Sequence, residues 1–473
     1  MYCSSLRSSP LSSAVWLSLM AVAWSTALTR AAELRPLDSL SAQIESNFAA
    51  QLGPARAANR QGRLKTPHPA TDYQSAWLPL SLGEPAGNKE TTDRSLFTTG
   101  PAAGGSIANG SASELTPELS ALRDKVRTVL AMYYPRHQSA RDHSPWEVMH
   151  AIIAYGVDTQ LFKNGPGGEK VNAIGWMCYN HACAGQQMLL VANDKIDARR
   201  GVGVQGHAGQ FLAILAQSHV KSDFPLYVQG KTFSLTDLIE HEKETCVAGE
   251  ELTFKLISLA HYLDSDATWI TRDGQEWSIQ RLVLEELKQP IRGAACGGTH
   301  RLMGISYSIH KRMQRNKPIV GEFVKAQTFI QGYHRYTFSL QNPDGSFSTE
   351  WFTRKGDSTD VDRRLKTSGH ILEWIAYSLS DEELRDPRMI KAVNYLATIL
   401  LTNDKHTWEI GPLGHGLHGL AIYSSRMFKD TPVAQPLPLV GPTGGDALEA
   451  RRAGGANQPP GTVGAVFPGG PRP

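Results

Sequence analysis

Apolar residues recur at helical spacing from about residue 119 to about residue 425, and polar segments that contain glycine interrupt them at intervals. In four places a turn with glycine and histidine opens onto an apolar segment. These places are residues 206–212, 297–303, 368–374 and 414–420. A fifth segment, residues 251–263, has Thr253 and Phe254 where the others have histidine. The repetition of one local pattern predicts a helical repeat architecture.

The repeat length sets the size of the unit. Equivalent positions are about 46 residues apart, and about 70 apart at one long connection, which is enough for two helices and two loops. A further helix is predicted to begin at Pro145, because Ser144 can cap it and Glu147 can reach back to the cap. Inner helices are thus predicted near residues 146, 207, 252, 300, 370 and 415. The sequence predicts an all-α fold, an (α/α)6 toroid of helical hairpins over residues 116–430, with the inner helices starting at one mouth.

Other segments complete the predicted set of elements. Further helices are expected at about residues 119–134, 180–191, 234–247, 277–289, 320–341 and 387–402. The one strand-like candidate is residues 226–233, which has a glycine turn in its middle. We interpret it as a loop hairpin.

The two ends of the chain differ from this helical region. Arg7 precedes an apolar run over residues 14–28 that is short for a membrane span, so residues 1–32 are predicted to be a cleaved secretory signal peptide. Residues 33–115 and 431–473 are rich in small residues and proline, and we expect a low-complexity linker and a disordered tail there. The prediction is an exported protein, periplasmic or extracellular, without a transmembrane segment after cleavage.

Charge and cysteine content narrow the possible partners and cofactors. The formal net charge is +3 with no basic stripe, which argues against nucleic-acid binding. Four cysteines follow the predicted signal, and in an oxidising compartment they favour two disulfides, Cys178 with Cys183 and Cys246 with Cys296. Zinc is the alternative, because Cys296 and His300 lie one helical turn apart. Since export weakens the case for thiolate zinc, we predict no metal and no cofactor.

One motif carries a resemblance to known proteins. The segment from Gln341 through Asp344-Gly345-Ser346 to Phe347 resembles the Q-x-x-D-G-S-W/F element of terpene cyclases and protein prenyltransferases. In that superfamily the element braces an outer helix against the next hairpin, so the resemblance implies the fold more than the reaction. The region 116–430 also resembles exported bacterial proteins with the same toroid signature.

The catalytic motifs of that superfamily are only partly present in this sequence. Asp360-Val361-Asp362-Arg363 resembles the D-x-D-D acid of triterpene cyclases, which implies Asp362 as the reacting acid. However, Arg363 replaces the last aspartate, and a cation lowers a neighbouring carboxyl pKa, whereas a proton donor needs a raised one. Asp362 is therefore kept as a candidate ligand-binding residue. Cys183 and Gln186 have the Cys-x-x-Gln spacing of complement-like internal thioesters. The alternative interpretation is that Cys183 is an ordinary cysteine at a helix start beside a polar turn.

Histidines at equivalent positions of the hairpins are the candidate catalytic residues. His207, His300, His370 and His415 are predicted to lie near one mouth with Glu373, and histidine exchanges protons near neutral pH. The alternative is that these imidazoles only cap or bridge helix starts. We also predict that Trp374 and Trp408 line a ligand cavity, with burial in the core as the alternative.

Two classes of function fit these predictions. The first is an exported toroid that binds or processes an elongated apolar, lipid-like or carbohydrate ligand in its central cavity. The second is a non-catalytic cell-envelope scaffold or protein-interaction module, with the arms recruiting a protein partner. An enzyme is expected to bury ionisable groups with perturbed pKa values, which a scaffold does not need.

Overall fold

The computed structural model describes residues 115–429. The predicted signal peptide, the tail and all but the last residue of the linker lie outside these described residues. Twelve α-helices and nine short strands form within this range, which confirms a mostly helical protein. No helix of the described range is long and apolar enough to cross a membrane.

The helices are numbered α1 to α12 in chain order. Their bounds are Pro117–Tyr133, Pro145–Tyr155, Ala173–Cys178, Gln210–Gln217, Leu235–Glu244, Thr253–Tyr262, Ile279–Lys288, Thr299–Gln314, Glu322–Ser339, Val361–Ser378, Pro387–Thr402 and Ile410–Phe428. The even-numbered helices, apart from differences at their ends, are the six helices that the sequence predicts near residues 146, 207, 252, 300, 370 and 415. The α9 helix, which was predicted as 320–341, is among the odd-numbered ones.

The even-numbered helices contact one another in cyclic order. Each packs against the next, from α2 to α12, and α12 packs back against α2. The odd-numbered helices pack beside them: α5 contacts α6, α7 and α9 contact α8, and α11 contacts both α10 and α12. The first helix, α1, packs on α11 and α12 and so joins the beginning of the described chain to its end.

Local sequence signals fix several helix starts. The Ser144 side chain accepts a hydrogen bond from the Glu147 backbone N–H and the Glu147 carboxylate accepts one from Ser144, so the predicted capping box of α2 is present. Asp360 caps α10 in the same manner, since its carboxylate accepts the backbone N–H groups of Asp362 and Arg363. This cap begins α10 at Val361, nine residues before the position near 370 at which the sequence predicts this helix.

The strands form small peripheral pairings. They are β1 Gln138–Ser139, β2 Gln160–Phe162, β3 Lys170–Asn172, β4 Leu189–Ala192, β5 Lys195–Ala198, β6 Pro225–Val228, β7 Lys231–Ser234, β8 Thr268–Ile270 and β9 Glu276–Ser278. The first three make one sheet, in which β1 and β2 are parallel, and the other six make three antiparallel pairs. The β6–β7 pair confirms the predicted hairpin: Gln229 and Gly230 both have positive φ, as a tight two-residue turn requires.

The predicted helix over residues 180–191 is wrong. Asn180, Ala184 and Gly185 all have positive φ, which a right-handed helix cannot accommodate. The segment instead turns at a bridge between Cys183 and Gln186 and continues into β4. The three-stranded sheet of β1, β2 and β3 and the β4–β5 and β8–β9 pairs were likewise not predicted.

The motif that begins at Gln341 ties α9 to later elements. The Gln341 side-chain amide donates to the carbonyl oxygens of Gly345 and Arg388, and Asp344 pairs with Arg364 of α10. Gly345 has φ 97°, and a side chain there would collide with the carbonyl oxygen of Lys391. The turn therefore needs glycine, and it holds the end of α9 against α10 and α11.

Candidate functional site

Histidines from several helices converge at one place. We call the following five residues the histidine cluster: His150 of α2, His207 before α4, His300 of α8, His370 of α10 and His415 of α12. Ring centroids of His370 and His415 are 4.0 Å apart, those of His300 and His415 are 5.1 Å apart, and those of His150 and His415 are 5.3 Å apart. His300 lies 5.6 Å from His370 and 6.0 Å from His207. The structure thus brings together the four predicted histidines and adds His150.

Glycines allow the helices that carry these residues to approach closely. A side chain at Gly369 of α10 would lie 3.0 Å from the Cα of Gly416 in α12. A side chain at Gly414 would collide with the backbone carbonyl oxygen of His150 in α2. Because the backbones of α2, α10 and α12 are nearly in contact, the imidazoles of His150, His370 and His415 lie close together.

Hydrogen bonds fix the tautomer of two histidines through the preceding helical turn. The Nδ1 atom of His150 donates to the Trp146 carbonyl oxygen at 2.6 Å, and that of His370 donates to the Lys366 carbonyl oxygen at 2.7 Å. A carbonyl oxygen only accepts, so the proton lies on Nδ1 in each ring. In the neutral ring the lone pair is therefore on Nε2.

Carboxylates hold three further imidazoles. Glu373 accepts from Nδ1 of His415 at 2.7 Å and from Nδ1 of His418 at 2.6 Å, one on each oxygen. Glu251 accepts from Nδ1 of His207 at 2.7 Å. These contacts join neighbouring hairpins, as expected if the histidines bridge helix starts. His150 and His370 do not fit that interpretation, because their hydrogen bonds stay within their own helices.

Glu373 is a buried carboxylate. Burial by itself raises the pKa of its carboxyl group, but the imidazoles of His415 and His418 outweigh this effect and hold the pKa well below its usual value. The side chain is 4% exposed, so its charge interacts with the two rings in a medium of low dielectric constant. One buried negative charge therefore lies next to the histidine cluster, on the carboxylate that is bonded to His415.

Burial has the opposite consequence for the histidines. Burial lowers the pKa of His150 to about 3 and holds the pKa values of His300 and His370 well below the ordinary value for histidine. The neighbouring His415 lowers all three pKa values further. These three rings are neutral at physiological pH. Neutral imidazoles offer lone pairs, which serve as proton acceptors or as metal ligands.

His300 differs from the other members of the cluster. It is 8% exposed, and neither of its ring nitrogens has a hydrogen-bond partner within residues 115–429. A buried polar group without a partner costs about 1–3 kcal/mol, so such a group calls for an explanation. Its ligating atom, that of His370 and the Cys296 sulfur all lie within 4.8 Å of one another.

The loop before α8 places Cys296 beside these two histidines. Cys296, Gly297 and Gly298 have φ values of 48°, 66° and 85°, three left-handed residues in succession. A side chain at Gly297 would collide with the Trp351 ring, and one at Gly298 would lie 2.5 Å from the Ile291 carbonyl oxygen. Burial raises the pKa of the Cys296 thiol to about 11, although the residue keeps some exposure.

The other three cysteines lie in the core. Cys178, Cys183 and Cys246 are buried, and all four cysteines of the described range are free thiols, so the two predicted disulfides are not formed in this structure. The Cys246 thiol donates to the Glu242 carbonyl oxygen at 3.3 Å, and Cys183 contacts the Met177 sulfur at 3.8 Å. Buried thiols of this kind act as small apolar side chains.

The predicted ligand-binding residues lie apart from the histidine cluster. Trp374 is fully buried and donates its indole N–H to Ser306, and Trp408 is buried and donates to the Tyr133 hydroxyl. Both pack in the core instead of lining an open surface. Asp362 lies in the first turn of α10, about 12 Å along the helix from His370, and accepts from Nε2 of His406 at 3.0 Å.

Aromatic and charged residues border the cluster where it is least buried. Trp146 contacts His150 with ring centroids 4.0 Å apart and the ring planes tilted by 42°, and Trp351 lies 5.7 Å from His370. Both tryptophans are partly exposed, and the Glu251 side chain is 39% exposed. We call Trp146, Trp351 and Glu251 the rim. His150 and Trp146 were not predicted, because their segment lacks the glycine-histidine turn, although their spacing of four residues on one helix was a usable signal.

Comparisons with known proteins give no further guidance to the site. Its interpretation depends on the geometry of the residues themselves. No protein-family model matches this chain, and neither the curated proteins nor the solved structures give a significant match.

Proposed function

We propose that residues 116–429 form an (α/α)6 toroid of an exported enzyme that binds and processes an elongated carbohydrate at the histidine cluster. The cyclic contacts of α2, α4, α6, α8, α10 and α12 support the toroid, because six inner helices of a ring must each meet two neighbours. The odd-numbered helices then form the outer layer, and the rim lies at the mouth.

The observation that carries the function is the histidine cluster itself. Burying polar rings is unfavourable unless each finds a partner, and a core that only needs to pack has no reason to gather imidazoles from four helices and a loop. A buried carboxylate, that of Glu373, is bonded to one member of the cluster. Buried ionisable groups with perturbed pKa values favour ligand processing over the scaffold alternative.

His415 is the proposed general base. Glu373 holds its Nδ1–H, which directs the lone pair of Nε2 towards the ligand and stabilises the imidazolium that forms when the ring accepts a proton. His418 shares the same carboxylate and so helps to hold it in place. Glu373 acts on the ligand only through His415, which makes it a positioning residue.

The rim favours a carbohydrate over a wholly apolar chain. Trp146 and Trp351 offer flat apolar faces, while Glu251, the partly exposed Lys366 and Arg363 near Trp351 offer hydrogen bonds beside them. Carbohydrates present apolar faces and hydroxyl groups together, whereas an isoprenoid needs only the former. Asp362, the candidate acid for protonating an alkene, does not support an isoprenoid substrate. It is bonded to His406 and lies two helical turns from His370.

The test is turnover by the purified full chain. Neutral and acidic polysaccharides are incubated with it, and new reducing ends and the ultraviolet absorbance of unsaturated products are followed, with squalene as the isoprenoid comparison. We expect turnover of a polysaccharide that falls about 10²–10⁴-fold in His415→Gln. His334→Gln, a buried histidine on α9, is the matched control and should retain activity.

Each result has a definite meaning. Turnover of squalene without turnover of any polysaccharide would replace the carbohydrate by an apolar substrate. A folded protein that neither binds nor changes any member of the panel would contradict the proposal and favour the scaffold alternative. Activity that is equal in wild type and His415→Gln would remove His415 from the reaction.

A further inference from the structure

We infer that Cys296, His300 and His370 form a three-ligand binding site for Zn²⁺. The inference goes beyond the proposed function, because the metal can be tested alone, without any carbohydrate. Within residues 115–429 no other group of three or more histidine, cysteine, aspartate or glutamate side chains lies close enough together to share a metal ion.

The separations suit a zinc ion after a small adjustment. The three ligand atoms lie within 4.8 Å of one another. Zinc binds sulfur at about 2.3 Å and imidazole nitrogen at about 2.0–2.1 Å, so tetrahedral ligands are about 3.5 Å apart. A closure of about 1 Å, which side-chain rotation can supply, completes the site.

His300 provides the independent observation. Its ring is buried and has no hydrogen-bond partner among the described residues at either nitrogen. The flanking rings of Phe254 and His207, at 5.2 and 6.0 Å between centroids, leave it in a largely aromatic setting. A bound cation would give one nitrogen a partner, which explains why a polar ring is placed there.

His370 is already oriented as a ligand. Its Nδ1–H is donated to the Lys366 carbonyl oxygen, so the nitrogen with the lone pair is Nε2. Metal-binding histidines commonly hold their second ring nitrogen to a carbonyl or carboxylate oxygen in this manner. His415 has the same arrangement through Glu373, and its ring is 4.0 Å from that of His370.

Cys296 supplies the third ligand and selects the metal. One thiolate with two imidazoles suits zinc, whereas calcium and magnesium require oxygen ligands. The sulfur ligand of zinc is the thiolate, so binding requires the Cys296 thiol to lose its proton. Three protein ligands leave a fourth position, as in catalytic zinc sites. The His415 ring lies close to two of the ligands, 4.0 Å from His370 and 5.1 Å from His300 between centroids.

The test uses the full chain after chelation of metal. Titration with Zn²⁺ by calorimetry should give one site per chain, and Co²⁺ in its place should give a thiolate-to-cobalt charge-transfer band. Cys296→Ser should abolish that band, and His370→Gln should weaken Zn²⁺ binding more than about 100-fold, beyond the loss typical of residues that only orient a ligand. Cys246→Ser and His334→Gln are matched controls and should bind as wild type.

A second measurement avoids dependence on the variants. Zn²⁺ should slow alkylation of Cys296 in the wild-type chain at least tenfold, as measured by peptide mass spectrometry. Unchanged alkylation, an absent charge-transfer band, or Zn²⁺ binding that survives in folded Cys296→Ser would each overturn the inference. Zinc binding without polysaccharide turnover would contradict the proposed function alone.

Discussion

At the scale of single residues, the histidine cluster shows how one side-chain type takes several environments. His150 and His370 bond to carbonyl oxygens of their own helices, and His415 bonds to a buried carboxylate. His300 has no such bond in the described part of the chain. His207 also bonds to a carboxylate, so the imidazole is satisfied at four positions of the cluster and left uncompensated at one.

This difference gives a prediction for His300→Leu. Replacing an unpartnered buried ring by an apolar side chain of similar size removes a desolvation penalty, so the metal-free variant should be about 1–2 kcal/mol more stable than the metal-free wild type. The measurement is urea unfolding of both chelated proteins. His370→Leu is the control and should lose stability, because it removes a ring that is bonded to Lys366.

Zinc should reverse the order of the two proteins. Saturating Zn²⁺ stabilises a protein that binds it in the folded state, so the wild type should gain stability and His300→Leu should not. A metal-free His300→Leu variant that is several kcal/mol less stable than wild type would show that the ring has a packing role that the missing hydrogen bonds do not reveal.

At the scale of elements, close backbone contacts decide which helices can be neighbours. The contact between α12 and α2 closes the cyclic order of the even-numbered helices, and it depends on Gly414, beside the His150 carbonyl oxygen. Gly416, in the same helix, faces the flexible Leu365 side chain at 3.1 Å. Two glycines of one helix therefore differ in what surrounds them.

Alanine at these positions should separate the two effects. Gly414→Ala should lower the free energy of unfolding by about 1–3 kcal/mol, because backbone atoms of α2 must move. Gly416→Ala should be close to neutral, since better helix propensity, worth about 1 kcal/mol, offsets the displacement of Leu365. Chemical denaturation of both variants is the measurement, and equal effects would contradict the packing of α12 on α2.

At the scale of the whole molecule, buried histidines outside the cluster link stability to pH. Burial is the main cause that lowers their pKa values, to about 4 for His137, His219, His310 and His334 and to about 2 for His261. In the unfolded chain each titrates near pH 6.5. The unfolded state therefore binds more protons below that pH, so stability is greatest above about pH 6.5 and falls as the pH decreases towards 4.

His334→Gln tests this link away from the candidate site. Between pH 7.5 and pH 5.0 the wild type should lose about 1–2 kcal/mol more stability than the variant, because one fewer buried ring must be protonated on unfolding. The measurement is urea unfolding at both pH values. Identical losses in the two proteins would show that His334 takes up its proton equally in the folded state.

Much of this arrangement was predictable from local sequence. Helical periodicity, the Ser144 capping box and the glycine turns specify where chain segments become helices, because these signals act over a few residues. They also identified four members of the cluster. The prediction was wrong for residues 180–191, where left-handed residues such as Ala184 depend on the bridge between Cys183 and Gln186.

The sequence by itself determined most of the helices, their order and four of the histidines on or beside them, since each depends on neighbouring residues. Only the tertiary structure decided which side chains meet. Cys296 and His370 are distant in sequence and come together through the left-handed loop before α8 and the packing of α8 on α10. Burial places Trp374 and Trp408 in the core and leaves His300 without a hydrogen-bond partner among residues 115–429, and it is likewise a property of the packed chain. No local pattern encodes it, because it depends on which distant surfaces cover each residue.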